Sequence, residues 1–239
     1  MYMHNSGTVY VDGKPLSDYG LLTSSGAIYT AAKPIFEKVS VPGRNGDLIF
    51  ESGSYENITV KYRSVILGDF EINYPALRDY LLSRKGYSRI EDDFTPDRFR
   101  LGKPVGDLTP VSSGNHQTRI VEISFECKPQ WFLKSGEAPI TVATGTLRIE
   151  NPTNQIALPK IVVTQGTGTF QVNGDSIILS ANNGNTVIDS ELQDTYEGTV
   201  NRNPNITFSD GYPILNPGAN IIIVPSGMVI KLYAKWWML

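Results

Sequence analysis

Apolar residues along this chain recur mainly at every second position, in short runs separated by Gly, Pro, Asn and Asp. Ile58-Thr59-Val60-Lys61-Tyr62-Arg63 alternates apolar with polar, as a strand does with one face on a core and the other in water. Thr118 to Phe125 repeats the alternation imperfectly through Ile120, Glu122, Ile123 and Phe125. Thr8-Val9-Tyr10-Val11 runs into Asp12-Gly13, a hairpin signal. One stretch carries a helical period instead. Asn73 as cap, Pro75 in the first turn, Leu77, Tyr80 and Leu81 on one face, Arg84 and Lys85 at the negative end and Gly86 as the stop predict a helix near 74–85. A single helix among strands contributes packing and excludes a parallel βαβ array.

The second half predicts strands only. Thr169-Phe170-Gln171-Val172, Asn173-Gly174 and Ser176-Ile177-Ile178-Leu179 spell a two-residue hairpin of the type I′ kind. Asn182 to Asn185 offers a further turn before Thr186-Val187-Ile188-Asp189, and Met228 to Trp236 reads as one long closing strand. Strands at a spacing of roughly 8–12 residues argue for an antiparallel sandwich. The expected fold class is therefore all-β with one short helix. Charge marks a division: residues 1–137 hold 16 Lys+Arg and 17 Asp+Glu, and 138–239 hold 5 and 7. Ser135-Gly136-Glu137 lies between apolar segments, so domains 1–136 and 137–239 are expected.

Bulk properties narrow the function classes. The 239 residues are enough to bury a substantial core, and 22 Gly with 15 Pro describe a turn-rich globular protein. A net charge of -3 without any long basic run argues against stable nucleic-acid binding. The lone Cys127 excludes an intrachain disulfide framework and fits folding in a reducing cytoplasm. Met1 to Ser6 lacks the basic and apolar regions of a secretory signal, and no run approaches the ~20 apolar residues of a membrane span.

Candidate chemistry is sparse. His4 and His116 are the only histidines, and no zinc, phosphate-loop or nucleophile-elbow spacing occurs, so no catalytic, metal or cofactor residue is nominated. Glu91-Asp92-Asp93 with Asp97, and Asp189-Ser190-Glu191 with Asp194, lack the spacing and glycine of a calcium loop and read as solvated surface. Trp236-Trp237 reads as core packing or a subunit contact before it reads as a sugar platform.

Longer segments point to a family. Asp210 to Val224 encloses a short apolar stop between Asp210-Gly211 and Asn216-Pro217-Gly218 and feeds the β-branched run Ile221 to Val224. It follows Ile149-Glu150-Asn151-Pro152-Thr153 and Pro159-Lys160-Ile161-Val162-Val163. The first half carries Val41-Pro42-Gly43-Arg44-Asn45-Gly46-Asp47-Leu48, then Tyr55 to Val60, and Phe125-Glu126-Cys127-Lys128-Pro129. In this order the segments resemble the distal tail (Dit) proteins of siphophages, over nearly the whole chain.

The resemblance implies an N-terminal sandwich or barrel of the tail-tube type and a C-terminal galectin-like sandwich. It implies a structural hub, without enzymatic activity or cofactor, at the distal end of the virion tail. Six copies would form a ring around a DNA channel, with a tail-tube protein, a tail-associated hub or lysin protein, and receptor-binding or baseplate proteins as partners. DNA would pass without stable binding, past acidic residues such as Asp69, Glu71 and Glu122. Arg44, Asn45 and Gly46 are the candidate subunit contacts, and the hairpin from Thr8 to Leu16 could reach a neighbour. The galectin-type sugar residues are not matched, since 138–239 contains no His and only Arg148 and Arg202 as arginines. The alternatives are a carbohydrate-binding module of an adhesion device and, with no acid or base to nominate, a wall hydrolase.

Overall fold

The computed structural model describes residues 6–106, 108, 110, 111 and 119–239. His4 and His116 lie outside the described residues. The chain forms two compact units, Met1–Trp131 with Leu239, and Phe132–Met238. The division precedes the Ser135-Gly136-Glu137 break because the segment after Trp131 already belongs to the second unit. Leu133 N–H donates to the Trp236 carbonyl at 2.9 Å, and the Gly136 carbonyl accepts from Lys235 N–H at 2.9 Å. A side chain at Gly136 would run into the Trp236 backbone, which requires glycine there.

In the first unit the strands are β1 (Val9–Val11), β2 (Lys14–Pro15), β3 (Leu21–Thr23), β4 (Ile28–Tyr29), β5 (Pro34–Val39), β6 (Leu48–Tyr55) and β7 (Ile58–Ile66). Helix α1 (Phe70–Leu82) precedes β8 (Ser88–Asp92), β9 (Arg98–Val105), β10 (Pro110–Val111) and β11 (Arg119–Cys127), and β12 (Trp131–Leu133) runs across the division. The main sheet is antiparallel in the order β2-β1-β8-β9-β11-β7-β3. The alternation along β7 and β11 sets its core face: Val60, Tyr62, Ile66, Val121, Ile123, Phe125 and Cys127 are buried, with Leu77 and Leu81 of α1 in the same cluster.

The helix begins earlier than its sequence signals predict. Asp69 is the cap, its carboxylate accepting from Glu71 N–H at 3.0 Å, while the Asn73 amide donates to the Leu67 carbonyl at 2.9 Å. Pro75 therefore sits inside the helix, and Ser83 ends it before Gly86. Arg84 lies beyond the last turn, pairs with Asp12 at 2.7 Å and lies over the Tyr80 ring. The hairpin from Thr8 to Leu16 is not free to reach outward: Val9, Val11 and Leu16 are buried, and Tyr80 donates to the Val11 carbonyl at 2.7 Å.

The second unit is a sandwich of two antiparallel sheets. Its strands are β13 (Ile140–Val142), β14 (Gly145–Asn151), β15 (Lys160–Gln165), β16 (Gly168–Val172), β17 (Asp175–Leu179), β18 (Thr186–Asp189), β19 (Asp194–Glu197), β20 (Val200–Asn201), β21 (Ile206–Phe208), β22 (Gly218–Val224), β23 (Val229–Tyr233) and β24 (Trp237–Met238). One sheet has the order β13-β23-β15-β18-β19-β20 and the other β14-β22-β16-β17-β21. Ile161, Val163, Ile188, Ile230 and Leu232 of the first meet Phe170, Val172, Ile177, Leu179 and Ile222 of the second in one core. Asn173 (φ 55) and Gly174 (φ 96) make the predicted type I′ turn. The long closing strand is broken. Lys235 turns left-handed (φ 53) between β23 and β24, Trp236 enters the core, and the Trp237 indole donates to the Ile156 carbonyl at 2.9 Å.

The segments that suggested a family are a pair of amide clasps. Asn220 is 1% exposed; its amide oxygen accepts from Asn216 N–H and the Asn173 amide, and its amide nitrogen donates to the Asn216 and Gly218 carbonyls, all at 2.8–2.9 Å. The buried Asn151 accepts from the Thr153 N–H and hydroxyl and donates to the Gln155 carbonyl. Between the two, Ala157 and Leu215 exchange both backbone bonds at 2.9 Å. These residues specify the fold of the second unit.

Candidate functional site

The clearest surface that this chain builds but does not use is the arm formed by β5 and β6. They pair only with each other among the described residues, as a two-stranded sheet. The register places Phe36 opposite Glu51, Glu37 opposite Phe50, Lys38 opposite Ile49 and Val39 opposite Leu48. Directly paired residues share a face, so Phe36, Lys38, Ile49 and Glu51 occupy one side and Glu37, Val39, Leu48 and Phe50 the other. Apolar side chains thus stand on both faces. Ile49 and Phe50 are each 58% exposed, and Ile35, Phe36 and Val39 are exposed as well. A hairpin that ends its days in water keeps at least one face polar, and an isolated two-stranded ribbon is marginal in stability.

At the tip lie the three residues nominated from sequence. Val41-Pro42-Gly43-Arg44 closes a turn with Arg44 N–H donating to the Val41 carbonyl at 3.1 Å. Pro42 supplies the fixed φ and Gly43 (φ 80) the left-handed position of a type II turn. Arg44, Asn45 and Gly46 are all exposed, so the guanidinium projects from the end of an apolar ribbon.

The other sequence candidates are committed to structure. Asp92 is buried, against the expectation of a solvated loop: one carboxylate oxygen accepts from Phe94 N–H, Thr95 N–H and the Thr95 hydroxyl, and the other from the Tyr62 hydroxyl at 2.7 Å. Burial, then the Asp92 charge, raise the Tyr62 phenol far above its ordinary value. Glu91 pairs with Arg89, Asp93 accepts from Thr8 N–H, and Asp97 pairs with Arg98 at 2.9 Å. Asp189 is buried too and accepts from Glu191 and Leu192 N–H, while Lys235 bridges Asp189 and Glu191 at 3.4 and 3.2 Å. No group of three or more potential metal ligands occurs among the described residues. Arg148 lies in β14 of one sheet, whereas Arg202 follows β20 of the other and pairs with Glu197.

No protein-family model and no curated protein sequence matches the chain. Solved structures do. The Dit (gp 19.1) protein of phage SPP1, a hub of the adsorption apparatus in phages that infect Gram-positive bacteria, is 17% identical over 98% of this chain and 100% of that one, with a TM-score of 0.74. This chain has the Dit fold. A chain of the phage p2 baseplate in its activated conformation with Sr is 12% identical over 95% of this chain and 97% of that chain, with a TM-score of 0.48. The Dit likeness spans both units, so the order of segments read from the sequence corresponds to the architecture found.

Two features escaped the sequence reading. The apolar alternation in β5 and β6 looks like that of core strands, and nothing local says that no core lies beneath them. Arg100, 2% exposed in β9, gave no signal because a single Arg in a strand normally faces water.

Proposed function

We propose that this protein is a structural hub of a phage tail tip, a subunit that closes into a ring between the tail tube and the host-recognition apparatus. The observation that carries this reading is the Dit fold over the full length of both chains. The arm adds a physical reason for assembly: covering its half-exposed apolar side chains contributes about 1 kcal/mol for each one buried. Repeated around a closed ring, a small gain of this kind accumulates. Arg44 at the tip suits a neighbour's carboxylate or backbone carbonyls, which a guanidinium grips in a fixed geometry.

The ring is most simply hexameric, with its first units around a central channel and its second units as docking points for receptor-binding or baseplate proteins. A tail-tube protein and a tail-associated hub protein would meet its two ends. The near balance of 16 basic and 17 acidic residues in 1–137 gives the wall no net attraction for DNA, which suits passage.

Light scattering and negative-stain imaging of the full chain, alone and with its tail-tube partner, test the reading. Rings are expected, and Ile49→Ser with Phe50→Ser, or Arg44→Ala, should weaken them while the thermal midpoint of the monomer stays within a few degrees. A strictly monomeric protein under both conditions would reject the hub. Sub-micromolar duplex binding by the ring at about 50 mM salt, lost at higher salt, would reject passive passage.

A further inference from the structure

The second unit leaves one long strand edge open. Three of the four edge strands of its sandwich are short, β13 and β21 with 3 residues each and β20 with 2. The fourth, β14, has 7 residues and pairs with β22 alone among the described residues, from Gly145 opposite Val224 to Asn151 opposite Gly218 without a shift of register. Edge strands are commonly kept short, bulged or broken by proline, because the free donors and acceptors along them can template another strand. β14 is interrupted by no bulge and no proline, and Arg148 and Glu150 are its only charges.

Those two charges select what can pair there. Arg148 and Glu150 stand two positions apart on the exposed face of the strand, and neither has an ion pair among the described residues. Leu147 and Ile149 alternate with them and are half-buried against the core of the sandwich. A second β14 laid antiparallel, with Ile149 opposite the partner's Ile149, brings Arg148 opposite the partner's Glu150 and Glu150 opposite the partner's Arg148. Sliding it by two residues sets Arg148 against the partner's Arg148, or Glu150 against the partner's Glu150, according to direction, and like charges directly opposite repel. Sliding it by one sets charged side chains opposite apolar ones. One register therefore satisfies both the charges and the core.

We propose that the β14 edge is a two-fold self-association site, at which the second unit of one chain pairs with that of a second copy and the β14-β22-β16-β17-β21 sheet continues across the axis. The contact is isologous, so each Arg–Glu pair occurs twice and the two Ile149 side chains meet at the axis. Pairing along one strand buries less than a standard interface, which makes the association weak and reversible. Adjacent members of a ring of six are related by its rotation and cannot use a two-fold contact. The site therefore joins free chains, or one ring to another, and does not depend on ring formation.

Sedimentation velocity of the full chain carrying Ile49→Ser and Phe50→Ser, which strip the arm of its most exposed apolar side chains, tests the site separately from the ring. A monomer–dimer equilibrium is expected with a dissociation constant of about 10–100 µM. In that background Arg148→Glu alone, or Glu150→Arg alone, sets like charges opposite each other twice and should weaken the dimer at least about tenfold. Both positions are exposed, so folding tolerates the changes. Mixing the two single variants should restore a dimer, now of unlike chains, to within about threefold of the starting affinity, because every cross-strand pair is again of opposite charge. The chain carrying both substitutions should likewise recover self-association. A protein that stays monomeric to about 1 mM, a dimer indifferent to the single variants, or single variants that do not recombine on mixing would overturn the proposal.

Discussion

Alkaline pH should loosen the first unit through a single thiol before any other buried group there responds. Cys127 ends β11 with no exposed surface, and its sulfur sits against Gly102, where even a methyl group would collide with it. Burial pushes the thiol from 9.0 up to about 12; the nearby Arg100 opposes that shift and Glu126 adds to it. In the unfolded chain the proton leaves near 9, whereas in the folded chain it stays until about 12. Over that range the unfolded state binds fewer protons, so stability is intact below pH ~9 and falls by about 1.4 kcal/mol per pH unit above it. Tyr62, raised by burial and Asp92, adds to the fall only above its ordinary 10.0, and Arg100 acts in the opposite sense only from about 10. The interval between pH ~9 and ~10 therefore isolates Cys127. Urea unfolding at half-unit steps, followed through Trp131 fluorescence in Trp236→Phe and Trp237→Phe background, should show a loss between pH ~9 and ~10 about 1 kcal/mol larger than in the same protein with Cys127→Ala. Parallel slopes for the two proteins would refute the reasoning.

Three further outcomes follow from the geometry. Asn220→Ala strips four hydrogen bonds, three with the turn at 216–218 and one with the Asn173 amide, and should cost the second unit about 2–4 kcal/mol in denaturant unfolding, a loss below ~1 kcal/mol being inconsistent with the clasp. Tyr62→Phe leaves one oxygen of the buried Asp92 without its donor and should cost about 1.5–3 kcal/mol, read from the first unit's transition. Asp69→Ala removes the cap of α1 and should cost about 1 kcal/mol, with the loss recovered by Asp69→Asn or Asp69→Ser in the same unfolding assay.

Local rules made part of this fold legible. The Asn173-Gly174 turn and the alternation in β7 and β11 depend on neighbours a few residues away, and they read correctly. The start of α1 did not, because Asn73 and Pro75 are good N-terminal residues in the abstract, while Asp69 wins by following Gly68 (φ 79) and meeting Glu71 N–H. The break before Trp236 escaped for a similar reason: Lys235 is held left-handed by long-range partners, Gly136 through its backbone and Asp189 through its side chain. Asp92 looked solvated because its burial depends on Tyr62, thirty residues away. Arg44, Asn45 and Gly46 were placed at a turn correctly, yet the arm beneath them was invisible as a surface, since sequence alternation marks what should be covered without saying by what.

Both long margins of that arm are open strand edges among the described residues, each a row of backbone donors and acceptors able to template another strand. Glu37, Lys38 and Glu51 interrupt its apolar residues with charge and act as gatekeepers against indiscriminate stacking. Their protection weakens as salt screens them. A preparation of the isolated chain should accordingly lose solubility with rising ionic strength and concentration, and storage at low salt should keep it in solution longest.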